Sequence, residues 1–239
     1  MSRAIKIVVP VYNEDESVLS WLHQVVSYLS ADDQLVVVDA SDVLIAERFS
    51  SHVIFQHDQV SYLRSDKGRA VQMNAGAEYL LSPTNTKKEE PSLLWFLHSD
   101  SGLSEEHILY LRALKEDVVW GRFDVQLSPS LIPFRIISKL INLRSRLSQV
   151  MTGDQGIFIR SDIFQQLQGY AAIPLMEDVE ISKRLRELAK ADCDGPVLYT
   201  SARRWQQHGW AKTVLLMWQL RLMYWLGVSP EKLVKKYYG

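Results

Sequence analysis

The stretch Leu93-Leu94-Trp95-Phe96-Leu97-His98-Ser99-Asp100 decides how the chain is read. Its five consecutive apolar residues suit a strand buried on both faces, and such a run belongs to a parallel sheet flanked by helices. The run stops at a carboxylate. In open α/β sheets the ligand crevice lies outside the carboxyl ends of the strands, so chemistry is expected at this polar tripeptide, with Asp100 as candidate metal ligand. A plain turn or helix cap at Asp100 is the alternative that this stretch leaves open.

Toward the N-terminus, Ile5 to Val9 predicts a first strand ended by Pro10. Asn13 with Glu16 offers a capping box for a helix whose Val18, Leu22, Val25 and Leu29 repeat at helical spacing. Leu35 to Val38 is a second apolar run, and it also stops at a carboxylate, Asp39. Strand, helix and strand predict a parallel pair joined by a right-handed crossover, with both strand ends on one edge of the sheet. One or two short strands are expected between Val53 and Arg64. Asp66 then serves as cap for a helix bearing Ala70, Met73, Ala77 and Leu80. Lys67-Gly68-Arg69 opens that helix, and its backbone donors and guanidinium suit either a phosphate or a solvated helix start. Ser82 to Ser92, rich in Lys and Glu, reads as a surface loop.

Beyond Asp100, Ser104 predicts a helix to Lys115, and Val119, Gly121, Phe123, Val125 and Leu127 alternate as one half-exposed strand. Between Pro133 and Val150, Ile136, Ile137, Leu140, Leu143 and Leu147 form an apolar face opposite Lys139, Arg144 and Arg146. That face is expected to pack on the core, with a membrane surface as the alternative. Gly153-Asp154-Gln155-Gly156 is a polar turn feeding the strand Ile157 to Ile159. Glu177-Asp178 opens a charged helix, where paired carboxylates act either as N-terminal capping or as a general base. Val197 to Thr200 is the last strand, followed by Arg203-Arg204-Trp205, whose arginines hold a diphosphate or remain solvated. The final helices, Trp210 to Leu226 and Pro230 to Tyr238, are rich in Trp, Leu, Met and Tyr. Packing on the core or in a homodimer is the main expectation for them, and peripheral membrane contact the other.

A length of 239 residues favours one domain, and a formal net charge of −1 argues against a nucleic-acid partner. Cys193 has no partner for an internal disulfide, and Met1-Ser2-Arg3-Ala4 leads into a strand without a signal-peptide apolar region. The expected compartment is therefore the cytoplasm. Arg221 interrupts the longest candidate span. Scattered histidines and a lone cysteine offer zinc nothing. Pro10 to Glu14 lacks the glycine-rich turn of a dinucleotide-dependent dehydrogenase and the glycine- and arginine-rich loop of a nucleotidyltransferase.

In this order the pieces resemble glycosyltransferase family 2, enzymes of the GT-A fold that move a sugar from a nucleotide-diphosphate donor. Pro10-Val11-Tyr12-Asn13-Glu14 matches the opening motif, Asp39 the acid after the next strand, and His98-Ser99-Asp100 the Asp-x-Asp signature. Gly153 to Gly156 matches the acceptor-side loop and Glu177-Asp178 the Glu-Asp pair. A closer likeness is to a small bacterial subfamily of arsenosugar-biosynthesis-associated glycosyltransferases. It is carried by Gly68 to Gly76, Pro174 to Glu180 and Ser201 to Gln206. Three features depart from the family: Asp39-Ala40-Ser41-Asp42 is short and lacks glycine, His98 replaces the first acid of the signature, and Ser201 stands where processive synthases carry Gln. Long-polysaccharide synthesis is therefore not expected.

The resemblance implies an α/β GT-A fold: a mostly parallel nucleotide-binding sheet flanked by helices, with C-terminal amphipathic helices. Residues 1–100 would form the donor half, 101–209 the acceptor half and 210–239 the C-terminal helices. It implies a metal-dependent, inverting transfer to the hydroxyl of a small-molecule or lipid-linked acceptor, with Mg²⁺ or Mn²⁺ held by Asp100. Asp178 would be the base, with Glu177 orienting the acceptor or holding the base. Donor contacts fall to Pro10, Tyr12, Glu14, Asp39, Arg69, His98 and Arg204, and acceptor contacts to Asp154, Gln155 and Trp205. The altered signature keeps a rival open, a non-catalytic nucleotide-sugar-binding scaffold of the same fold.

Overall fold

The structure, a computed structural model, describes residues 3–48, 52–83, 91–203, 206 and 209–238. The strands are β1 (Ile5–Val11), β2 (Gln34–Asp39), β3 (Val60–Arg64), β4 (Leu93–Phe96), β5 (Trp120–Gly121), β6 (Val125–Ser128), β7 (Phe158–Arg160) and β8 (Leu198–Ser201). The helices are α1 (Ser17–Val26), α2 (Ile45–Arg48), α3 (Arg69–Leu81), α4 (Glu105–Ala113), α5 (Ile132–Ser148), α6 (Ser161–Gln166), α7 (Glu177–Leu188), α8 (Trp210–Trp225) and α9 (Pro230–Tyr238).

Six strands form one sheet in the order β3-β2-β1-β4-β7-β5. The first four are parallel, while β7 runs antiparallel to both β4 and β5. Period-two alternation assigns the two faces. Ile5, Ile7, Val9, Leu35, Val37, Leu93 and Trp95 pack with α1 and α4 on one side. Val8, Val36, Val38, Leu94 and Phe96 pack with α3, α6 and α7 on the other. A strand with apolar residues on both faces needs helices on both, as the run at Leu93 predicts. All four residues of β4 are buried, each side chain contributing ~1.5–3 kcal/mol. Gly76 sets the depth of α3, since a Cβ there would lie 2.5 Å from Val8 Cγ1.

Chain order and space order diverge between β1 and β4: the chain leaves β1 for β2 and β3 on one side, then crosses back. The crevice outside the carboxyl ends of β1 and β4 is therefore where this topology holds a ligand. Because β7 is antiparallel to β4, with Phe158 opposite Trp95, its leading turn Gly153–Gln155 arrives at that same edge. Trp95 Nε1 donates to the Gly156 carbonyl at 3.1 Å and fixes the turn there.

Several local expectations need correction. β1 continues through Pro10 to Val11, because a parallel register in which Pro10 lies opposite Val38 tolerates the missing donor. Asn13 and Glu16 form no capping box. Instead Asp15 Oδ1 accepts from Ser17 N at 2.9 Å, and Asn13 sits at φ 53° in the loop. The cap of α3 is Gly68, not Asp66, and its φ of 146° is a conformation that suits glycine. The alternation from Val119 to Leu127 is two strands in different sheets, since β6 leaves the main sheet to pair in parallel with β8. Between Val53 and Arg64 the expectation of one or two short strands is met by β3, preceded by a 3₁₀ turn at Val53–Gln56. Most of the Lys- and Glu-rich loop after Ser82 lies outside the described residues.

The largest correction concerns α5 and α8. On α5, Phe134, Ile137, Ser138 and Ser145 face the protein, while Ile136, Leu140, Leu143 and Leu147 face solvent. On α8, Thr213 and Leu220 are buried, whereas Trp218, Leu222 and Trp225 face outward. The helical periods are as read, but of the predicted α5 face only Ile137 is in the core, and Trp218, Leu222 and Trp225 of α8 are not packed on it.

Candidate active site

At the crevice, the loop after β1, the Lys67-Gly68-Arg69 entry to α3, the tripeptide after β4, the turn before β7 and the start of α7 converge. Gln72 ties the frame together. Its Nε2 donates to the carbonyls of Val11 and Val38, both at 2.8 Å, pinning α3 to the ends of β1 and β2.

Arg69 occupies the centre. One Nη2 donates to His98 Nε2, and its Nε lies 3.5 Å from Glu177 Oε1. A guanidinium only donates, so Nε2 of His98 is the acceptor and the ring proton sits on Nδ1. Burial, and then the adjacent Arg69 charge, hold the His98 pKa well below its usual value, so the ring is neutral at neutral pH. Gly153 makes this arrangement possible, because a Cβ there would overlap the Arg69 guanidinium.

Asp178 stands on the first turn of α7, after Met176 at φ 70°. A non-glycine residue held in that region costs on the order of 1–3 kcal/mol and recurs at functional sites. Gly153 N donates to Asp178 Oδ2 at 3.0 Å, and Val179 N to Oδ1 at 2.7 Å. Burial, followed by the neighbouring Glu177 carboxylate, pushes the Asp178 pKa up to about 6, against the opposing pull of Arg69 and the two amides. Glu177 itself is 4% exposed and faces Arg69.

On the solvent side, burial and then Glu14 and Asp154 raise the Asp100 carboxyl above its ordinary range, while Arg203 works the other way. Asp154 also acts on Arg69 and on Arg144, so it links the Asp100 and Asp178 sides of the crevice. Among the described residues no group of three His, Cys, Asp or Glu side chains is assembled to hold a metal, and His98 Nε2 is taken by Arg69. The donor set fits a divalent cation only as one carboxylate, Asp100, in a concentration of negative charge that a cation offsets.

Tyr12 lies at the outer edge, its ring 4.0 Å from Lys67 Nζ. Beside it, Asp42 accepts from Asn13 Nδ2 at 3.1 Å and from Tyr12 Oη at 3.5 Å. Pro10 contributes as strand backbone.

Two expected contact residues are used otherwise. Asp39 is fully buried: Oδ1 accepts from Ser41 N, and Oδ2 from Ile45 N, both at 2.8 Å, with Tyr62 Oη bonded as well. Gln155 is equally buried, donating to Ser145 Oγ at 3.0 Å and accepting from Thr152 N at 2.9 Å, so it builds the turn. Arg204 and Trp205 lie outside the described residues.

Sequence reasoning gave no site role to Arg144. Arg144 Nη2 is buried without a hydrogen-bond partner among the described residues, and burial lowers the Arg144 pKa against the pull of Asp154 and Asp178. Its only signal in the sequence is a cation on the face of α5 that turns toward the acceptor-side loop.

The fold of this chain is shared with several solved structures. A mannosyltransferase, PcManGT from Pyrobaculum calidifontis, in complex with GDP-Man and Mn²⁺, superposes with a TM-score of 0.58 at 12% identity, over 83% of this chain and 57% of that one. S. aureus TarS residues 1–349 with UDP gives 0.58 at 12% identity, over 83% and 60%. GalNAc-T7 with UDP, GalNAc and Mn²⁺ gives 0.56 at 14% identity, over 83% and 42%. The chain thus spans less than two thirds of each of these relatives. No curated protein matches the sequence significantly. The profile of glycosyl transferase family 2 matches residues 6–162, from β1 through His98-Ser99-Asp100 and the Gly153–Gln155 turn to the start of α6, and the chain belongs to that family.

Proposed function

We propose that the chain is a metal-dependent, inverting glycosyltransferase that moves a sugar from a nucleotide-diphosphate sugar to an acceptor hydroxyl. One observation carries this reading. Asp178 is a partly buried carboxylate, held by the Gly153 and Val179 amides, with a pKa pushed up to about 6, and it faces the crevice at the carboxyl edge of the sheet. That is the environment of a general base working near neutral pH, a role typically giving ~10²–10⁴-fold.

In this mechanism the nucleotide lies over the β1 loop, where Tyr12 and the accessible carboxylate of Asp42 take the contacts that a buried Asp39 cannot make. Lys67 and Arg69 face the diphosphate. Arg69 is held by Glu177 and His98, so its charge is preorganised for the negative charge that develops on the leaving group. Asp100, with the donor's phosphates, would hold a Mg²⁺ or Mn²⁺ ion, which would supply further stabilisation of that leaving group. The Mn²⁺ in two of the structural relatives supports this assignment. Asp178 takes the acceptor hydroxyl's proton on the opposite face of the sugar, and attack from there inverts the anomeric centre. Arg144 and Asp154 line the acceptor side. Within the family we also infer membership of the arsenosugar-associated subfamily, on the stretches Gly68 to Gly76 and Pro174 to Glu180.

The test is Asp178→Asn. Titration calorimetry with nucleotide and Mn²⁺ is expected to give unchanged donor affinity, while transfer falls by about 10²–10⁴-fold. Transfer near the wild-type rate would remove Asp178 from the role. The engagement of His98 by Arg69 favours one other reading, a scaffold that binds nucleotide sugars without transfer. Donor hydrolysis that stops on addition of EDTA would exclude it.

A further inference from the structure

Two helices present apolar stripes that nothing among the described residues covers. On α5, Ile132, Ile136, Leu140, Leu143 and Leu147 follow at three- and four-residue steps and are between 53% and 77% exposed. On α8, Leu215, Trp218, Leu222 and Trp225 do the same, between 56% and 75% exposed. The helices share a small cluster, with Ile141 of α5 and Val214 of α8 both packed on Leu127, Phe134, Ile137 and Ala202.

Charge identifies the occupant. Neither helix carries an acidic residue; Arg135 and Lys139 stand beside the α5 stripe, Lys212 and Arg221 along α8, in a chain whose formal net charge is −1. A two-fold dimer through this face would set each basic helix against the basic helices of its copy, with no carboxylate on either to offset them. An anionic lipid surface is complementary to both components: apolar stripes enter the acyl boundary, tryptophans sit at headgroup level, and long cationic side chains reach up to phosphates. None of the described helices is long and apolar enough to cross a bilayer, so the contact lies in the plane of the surface. We propose that α5 and α8 form a docking face for an anionic membrane surface. Leu220 of α8 packs with Met176 and Val179, which flank Asp178, so the docked face is one helix away from the candidate base.

The experiment is co-sedimentation of the full chain with phosphatidylcholine vesicles, with and without phosphatidylglycerol. Binding to the mixed vesicles is expected to exceed binding to pure phosphatidylcholine. Arg135→Ser and Lys139→Ser should each weaken it about fivefold. A Trp218→Ser/Trp225→Ser double variant should weaken it at least ~tenfold while keeping the wild-type melting temperature, because both side chains are exposed. Val53→Ser, at an exposed apolar residue of the 3₁₀ turn before β3, should leave binding unchanged. Folded protein that stays in the supernatant with mixed vesicles would overturn the proposal. So would binding indifferent to phosphatidylglycerol, or a dimer by analytical ultracentrifugation that the double tryptophan variant dissociates, which would assign the face to a second copy.

Discussion

The carboxyl edge of the main sheet and the outer face of α5 and α8 are built on opposite rules. At the edge, polar groups are enclosed and matched: Arg69 against His98 and Glu177, Asp178 against two amides, and Gln72 against two strand carbonyls. On the helical face, large apolar groups stand in solvent, with Trp225 at 75% and Leu147 at 77% exposure. Matched polar groups in a low-dielectric setting define one geometry, and each must be satisfied or the whole is destabilised. Uncovered apolar area specifies no internal geometry and awaits an outside surface. The side chains of the edge are thus held largely by one another, whereas the face is uncovered among the described residues.

The sharpest test of that contrast compares two residues of α8, two positions apart. Leu220 is fully buried against Met176, Val179 and Leu233. Leu220→Ala should cost about 2–5 kcal/mol in urea unfolding, as cavity-forming substitutions do. Trp218→Ser, at a residue 66% exposed, should stay within about 0.5 kcal/mol despite removing the larger side chain. A loss of several kcal/mol at Trp218 would mean that the face is covered in the free protein, and the contrast would fail.

The same contrast explains what the sequence disclosed. The run at Leu93 to Leu97 had one reading, because a strand apolar at every position needs cover on both faces, and its terminal carboxylate pointed to the crevice. The place of Asp178 on the first turn of a helix was legible from an adjacent pair of carboxylates; its role as a base is the proposal above. Periodicity on α5 and α8 gave the helices but not the side that meets the core, since a stripe of Leu and Trp looks the same whether protein, lipid or water faces it. Asp39 and Gln155, expected as ligand contacts, are instead bonded within their own loops, for a related reason. A carboxylate or amide at a strand end can serve a ligand or its own loop, and only burial, with Asp39 and Gln155 both at 0% exposure, distinguishes the two. Arg144 left no pattern, because its meaning lies in Asp154 and Asp178, distant in sequence.

A smaller perturbation breaks the edge without touching a polar group. Gly153→Ala adds one methyl group where the Arg69 guanidinium lies, so Arg69 must leave His98 and Glu177. Transfer is expected to fall roughly a hundredfold, the usual cost of displacing a positioned group by about an ångström. The melting temperature should fall as well, since Glu177, 4% exposed, loses its cation. Steady-state kinetics beside thermal unfolding would separate the two effects. Unchanged kcat/KM would mean that Arg69 has no part in transfer.

The smallest effect is a displacement along the pH axis. The proposed base acts only when ionised, so with a pKa near 6 the transfer kcat/KM should rise with pH through about 6 and level off above it. Burial and Glu177 raise this pKa, while Arg69 lowers it by favouring the charged carboxylate. Arg69→Gln removes the lowering influence and leaves burial and Glu177 in place, so the acid limb must move to higher pH, by about one unit or more for an opposite charge at close range. A move to lower pH, or none, would show that the limb does not belong to a carboxylate beside Arg69. The stability of the folded chain should respond with the matching sign. A carboxyl whose folded pKa lies above its unfolded value gives stability that is fully present below about pH 4 and is lost as the pH rises through about 6. Asp178→Asn, which cannot ionise, should therefore flatten the decline in melting temperature over that interval, while substitutions on the outer faces of α5 and α8 leave it in place.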